Sequence, residues 1–219
     1  VKLTLNNTAT VSLGTTKVYS ALFEKLCMPT VLCNESYALT NPDFPVTINS
    51  DRSGISDVAC VACAVNNSKN VLTANTTDFA KITLTAGVLA TGSISVLDHL
   101  FTYPNGTFAG FTIKDLNYLV ELNLFQSLTI STYNNGVLQQ SKTGGQLIGL
   151  SLLTPILGSG PGFYNVGFKT TLPFDEIRIT VGSLASVITN INVYGAFVNT
   201  NNSNDGGSGS LNCVSSDLS

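Results

Sequence analysis

The chain opens on a strict alternation. Val1, Leu3, Leu5, Ala9, Val11 and Leu13 fall on one face of an extended segment. Lys2, Thr4, Asn6, Thr8, Thr10 and Ser12 fall on the other, and only Asn7 breaks the pattern. A period of two sustained from Val1 to Leu13 predicts a long β-strand with one apolar face, ended by Gly14. Residues 17–27 keep no clean period and fit a short helix or an irregular strand. Residues 41–53, with Pro42, Pro45, Asn49 and Asp51, read as a loop, and the main domain is expected to start near Ser56. From there strand patterns alternate with turns at short intervals: 80–86, 93–101, 107–113, 128–133, 137–141, 163–170, 176–181 and 190–197. Pro104-Asn105-Gly106 and Asn134-Asn135-Gly136 are turn signals, and the second suits a two-residue type I′ hairpin. The rhythm predicts an all-β fold, an antiparallel β-sandwich of jelly-roll type with an extended N-terminal strand. Three parts are expected: an extension over 1–55, a sandwich over 56–198 and an Asn/Gly/Ser-rich tail over 199–219.

Composition narrows the classes. Of 219 residues only 11% are charged, 10 Lys+Arg against 13 Asp+Glu, where a soluble domain commonly carries about 25%. Thr (26) and Asn (22) fill the deficit. Ten scattered cations and a net charge of -3 give no basic footprint for nucleic acid. The most apolar stretch, 147–157, holds Gly149, Ser151, Thr154 and Pro155 and is too short to span a bilayer as a helix. Thr/Asn-rich, weakly charged β sequence sets the expectation of a secreted, extracellular or cell-surface protein; the start at Val1 without an initiator Met fits a processed secreted protein and equally an excised fragment.

Candidate chemistry is sparse. Cys27, Cys33, Cys60 and Cys63 are disulfide candidates in an oxidising compartment, with Cys213 left over. A four-thiolate zinc site and a redox-active Cys60-Val61-Ala62-Cys63 are the competing readings of the same spacing. His99 is the sole histidine, so any Ser-His-Asp or Cys-His arrangement must use it, beside Asp98. Asp175 and Glu176 are the densest acidic pair, but adjacent strand residues point to opposite faces and cannot flank one glycosidic bond. No cofactor is implied, although Asp51, Asp57 and Asp78 could contribute to a structural calcium ion. Gly158-Ser159-Gly160-Pro161-Gly162 lacks the Lys of a phosphate loop. Asn6, Asn34, Asn66, Asn75, Asn105 and Asn201 each begin an N-glycosylation sequon.

Several stretches resemble domains of secreted cell-surface proteins of Bacteroidetes-type bacteria, the large adhesins and gliding-associated proteins. They are Cys60-Val-Ala-Cys63 with Asn70-Val-Leu-Thr-Ala-Asn-Thr-Thr-Asp-Phe-Ala-Lys-Ile82, Thr102-Tyr-Pro-Asn-Gly-Thr-Phe-Ala-Gly-Phe111, Thr132-Tyr-Asn-Asn-Gly136, Pro173-Phe-Asp-Glu-Ile-Arg-Ile179 and Val193-Tyr-Gly-Ala-Phe197. The resemblance covers residues 60–198. It implies a galactose-binding-like jelly roll, export across the outer membrane, and adhesion or structure in place of catalysis. The chain departs from that family at Leu72-Thr73-Ala74-Asn75, where an acidic, glycine-containing turn is usual.

The expectation is therefore a non-enzymatic structural subunit of an extracellular filament or adhesive layer. Val1–Leu13 would complete the sheet of the next subunit, giving a head-to-tail homopolymer. The alternative is a glycan-binding module of a larger secreted surface protein.

Overall fold

The structure is a computed structural model that describes residues 35–56, 60–85, 89–115, 126–149, 163–183 and 188–200. Several expectations lie outside these residues. They are the alternating strand 1–13, the segment 17–27, Cys27, Cys33, Cys213, Asn6, Asn34, Asn201, Asp57, the loop 158–162 and the tail from 201.

The described residues form an antiparallel sandwich of two sheets. In chain order the strands are β1 (Ser36–Ala38), β2 (Val46–Ile48), β3 (Gly54–Ile55), β4 (Ala64–Asn66), β5 (Ala80–Leu84), β6 (Thr91–Asp98) and β7 (Phe108–Asp115), followed by β8 (Leu128–Asn134), β9 (Val137–Thr143), β10 (Ile148–Gly149), β11 (Phe163–Lys169), β12 (Glu176–Gly182) and β13 (Thr189–Asn199). One sheet has the order β10-β11-β7-β13-β5-β4, with β1 on the far end of β13. The other runs β2-β6-β12-β8-β9, with β3 also on β6. From β5 to β8 each strand crosses to the opposite sheet, and β11, β12 and β13 cross again. That is the winding of a jelly roll, as the strand rhythm predicts. Residues 36–55 contribute β1 to one sheet and β2 and β3 to the other, upstream of the boundary drawn at Ser56. Three-residue strands carry too few alternations to stand out beside Pro42 and Pro45.

Alternation explains the core. Ile94 and Val96 of β6, Ile177, Ile179 and Val181 of β12, and Leu128 and Ile130 of β8 face inward from one sheet. Ile82 and Leu84 of β5, Phe111 and Ile113 of β7, Val166 and Phe168 of β11, and Ile191 and Val193 of β13 meet them from the other. Each such side chain contributes about 1.5–3 kcal/mol on burial. One end of the sandwich is closed by a row of rings, Tyr37, Phe44, Phe101, Tyr103 and Phe174, with centroids 5.2–6.3 Å apart.

Gly110 and Gly167 are cross-strand partners in β7 and β11. A Cβ at Gly167 would stand 2.6 Å from the Phe108 ring, and one at Gly110 would stand 2.8 Å from the Phe197 ring. Glycine lets these two stacked rings (centroids 6.0 Å apart) lie flat on the sheet. The β8–β9 hairpin turns at Asn135 (φ 48°) and Gly136 (φ 78°), the left-handed pair a type I′ turn requires.

Candidate functional site

A groove of about 500 Å³ opens where the two sheets meet at the β2 edge. Residues of β2 form one wall, and the 3-10 turn Ser68–Leu72 with Thr73 and Ala74 forms the other. Val46, Ile48 and Leu72 make an apolar floor, while Asn41, Thr47, Lys69 and Thr73 supply the polar rim. Asn41 ties the walls together: its N–H donates to the Leu72 carbonyl (2.8 Å) and its side-chain amide to the Val46 carbonyl (3.3 Å).

The rim is held by side chains. The Thr73 hydroxyl lies 3.1 Å from both the Asn70 carbonyl and Asp78 Oδ2, and its single proton serves one of them at a time. Asp78 Oδ1 accepts from the Asn75 amide (3.1 Å), and Asn75 Oδ1 accepts from the Thr77 N–H and hydroxyl. Asn70 donates to the Phe79 carbonyl, closing the loop on itself. On the other wall Thr47 Oγ1 lies 2.7 Å from His99 Nε2.

That contact settles the geometry of His99, which is exposed and faces Thr47. Asp98 is buried instead, accepting from the Leu100 and Phe101 N–H groups and the Tyr103 hydroxyl (2.7 Å). The two neighbours therefore serve separate networks and do not form an acid–base pair. Burial is the main cause that pushes the Tyr103 phenol well above its usual range, and the Asp98 charge and hydrogen bond push it the same way.

Asp175 and Glu176 also separate. Asp175 Oδ2 accepts from the Asn135 N–H (2.8 Å). Glu176 is buried on the outer face of its sheet, where the segment after β2 covers it. Asn49 (2.9 Å) and Ser95 (2.6 Å) donate to Oε1, and Arg52 Nη1 lies 3.2 Å from Oε2. Arg52 also lies over the Tyr133 ring, 4.5 Å from its centroid, and donates to the Gly136 carbonyl.

Cys60 and Cys63 are joined by a disulfide, with Cα atoms 5.5 Å apart, and the Thr85 N–H donates to Cys63 Sγ. Among the described residues no three His, Cys, Asp or Glu side chains converge as a metal cluster. Asp51 sits in the 3-10 turn Ser50–Arg52 and Asp78 in the turn before β5. The sequons at Asn66, Asn75 and Asn105 are exposed. No described helix is long and apolar enough to cross a membrane.

Sequence reasoning missed the groove. Its lining comes from a segment read as loop and from a short turn; Leu72, Thr73 and Ala74 fall in the stretch where the chain departs from the resembled family, which did not point to a site. Asn75, a sequon residue in that same stretch, and Asp78, a calcium candidate, here brace Thr73.

The fold and groove together define an all-β sandwich with a surface cleft at one sheet edge. No known family model and no curated protein matches the chain. Solved structures similar to it include a family 32 carbohydrate-binding module from C. perfringens NanJ in complex with galactose. The two share 12% identity at a TM-score of 0.37, covering 75% of this chain and 98% of that one. A mutant of the family 29 carbohydrate-binding module CBM29-2 shares 11% identity at a TM-score of 0.35, covering 76% and 93%. The third family 32 module of a family 31 glycoside hydrolase from Clostridium perfringens shares 9% at 0.32, covering 78% and 91%.

Proposed function

We propose that this chain is a non-catalytic glycan-binding domain of a secreted surface protein, with its ligand in the groove between β2 and the Ser68–Leu72 turn. One observation carries the reading: the groove pairs an apolar floor with a polar rim in which the Asn41 amide and the Thr47 and Thr73 hydroxyls are held by hydrogen bonds and the Lys69 ammonium stands exposed. A sugar ring presents a C–H face and a belt of hydroxyls, and this division of lining matches both. Asn41, already held through its amide, can accept from a hydroxyl through Oδ1 at little ordering cost, and the exposed Lys69 ammonium can donate at the cost of ordering its stem. No exposed aromatic platform is present among the described residues, so hydroxyl contacts dominate over ring stacking.

Binding of the intact chain to a glycan array, followed by titration of the best neutral oligosaccharide, tests this. Asn41→Ala, Lys69→Ala and Thr73→Ala should each weaken binding about tenfold, the loss of about one good hydrogen bond. Val61→Ser, in the exposed turn between the disulfide cysteines, should bind as the parent does. Absence of any glycan ligand, or affinities indifferent to the rim substitutions, would overturn the reading.

A second reading is favoured by one specific feature. Among the described residues β9 has a strand partner on one side only, and it exposes Val137 and Leu138. Such an edge accepts an added strand. Residues 1–13 of a neighbouring copy, in the setting of the Bacteroidetes-type surface proteins the sequence resembles, would supply it and build a head-to-tail polymer. Sedimentation of the full chain against a variant lacking 1–13 tests this: polymer lost with the segment supports it, and a monomer in both cases removes it.

A further inference from the structure

Arg178 occupies the centre of the second sheet's outer face, and its bonding is incomplete. Its cross-strand neighbours at the same register are Ser95 of β6 and Ser131 of β8, and the next row holds Ser93, Thr180 and Thr129. A guanidinium has five N–H donors. Two are used, by the Tyr133 hydroxyl (3.3 Å) and the Ser93 hydroxyl (2.9 Å). Three remain, and among them Nε–H is buried without a partner. Among the described residues no carboxylate lies within ion-pair distance of Arg178; Glu176, two positions along the same face, is taken by Arg52. In a chain with ten cations, a half-buried guanidinium whose two hydrogen-bond partners are neutral hydroxyls keeps one N–H on each Nη unpaired, and an anion would both pair these and offset the charge.

We propose that the outer face around Arg178 binds a carboxylate or sulfate oxyanion. The free Nη–H groups would take two of its oxygens in the planar fork that suits such groups. The Ser131 and Ser141 hydroxyls stand 3.0 Å apart and share one hydrogen bond, which leaves one O–H of the pair to donate as well. The oxyanion comes either from an acidic sugar, a uronate or sulfated residue, or from the free inorganic ion. This site lies two strands from β2 and is independent of the groove.

Calorimetric titration of the full chain with oligogalacturonate, and separately with inorganic sulfate at constant ionic strength, tests the assignment. The parent should bind at least one of the two. Arg178→Gln should lose that binding by tenfold or more, and Arg178→Lys should weaken it severalfold, keeping charge without the fork. Binding of the oligomer alone identifies an acidic glycan, and equal occupancy by sulfate identifies the bare ion. Parent and Arg178→Gln affinities that agree, or no binding of either anion by the parent, would overturn it; should Arg178→Gln fail to fold, an unchanged affinity in Arg178→Lys does so. Neutral-glycan titration of the same variants should be unaffected, so failure of the groove reading and failure of this one are separate results.

Discussion

Asp98 and Tyr103 show how a single buried contact outweighs a suggestive sequence. Beside the only histidine, Asp98 invites a catalytic reading, yet its carboxylate is consumed by two backbone N–H groups and the Tyr103 hydroxyl. Nothing in a linear sequence reveals that Tyr103 returns to the carboxylate five residues upstream. Burial first, and then the Asp98 charge, hold the phenol protonated well beyond its usual range near 10. The folded state thus binds that proton more tightly than the unfolded chain does. Its contribution is complete below pH 10 and declines as pH rises beyond 10 towards the folded value. Tyr103→Phe should cost about 1–3 kcal/mol at neutral pH, because Asp98 loses a donor while remaining buried. Denaturant melts between pH 8 and 11 should also show a shallower alkaline loss in the variant than in the parent; identical slopes would contradict this account. The paired glycines make a second residue-scale case. Gly167→Ala places a methyl against the Phe108 ring and the Ala109 carbonyl, and should destabilise by about 1–3 kcal/mol in the same melts.

Elements differ in legibility according to length. The strands from β5 to β9 and from β11 to β13 each hold five or more residues, with clear alternation in β5 and β12, and they lie close to where the pattern puts them. The turn of the β8–β9 hairpin is legible because Asn135-Gly136 is a dipeptide that accepts two left-handed conformations cheaply, while each strand runs one or two residues beyond its expected end. At Pro104-Asn105-Gly106 the turn is legible but its corners are not. The Thr107 N–H donates to the Pro104 carbonyl, so Asn105 and Gly106 (φ 86°) form the bend and Pro104 precedes it. β1 to β4 are two or three residues long and were invisible, and with them went the groove. Strand pairing also explains the composition. Ser93 with Thr180, Thr129 with Thr143, Ser131 with Ser141, and Thr112 with Asn165 are side-chain pairs between adjacent strands at 2.6–3.0 Å. Each contributes about 0.2–1 kcal/mol without a charge. Gly136→Ala keeps every one of those pairs but forces a side chain into positive φ, so it should cost about 1 kcal/mol or more. Hydrogen exchange should show the loss concentrated in β8 and β9; uniform loss across both sheets would mean the hairpin is not a separable unit.

At the scale of the whole molecule, long-range strand pairing joins the described strands of the sandwich, and that decides what the Cys60–Cys63 disulfide can do. Its loop is among the shortest a disulfide can close, with a sequence separation of 3. In the chain-entropy model, closing so few residues contributes about 2 kcal/mol, near the low end for disulfides. The bridge restrains only the turn leading into β4, an edge strand at the far end of its sheet from β10. The core strands β6, β12, β7 and β13 are joined by full-length antiparallel ladders that do not pass through it. A Cys60→Ser/Cys63→Ser variant should therefore fold. Its Tm should fall by about 4–8 °C, the shift expected of about 2 kcal/mol in a chain of this size. Glycan affinity should be unchanged, because neither cysteine lines the groove. Calorimetry of the parent and the double variant checks both parts. A variant unfolded at 25 °C would show that the β4 edge organises the sheet it flanks, against the order inferred from the ladders. A Tm equal to the parent's would show that the turn is already as restricted in the unfolded chain as in the native one.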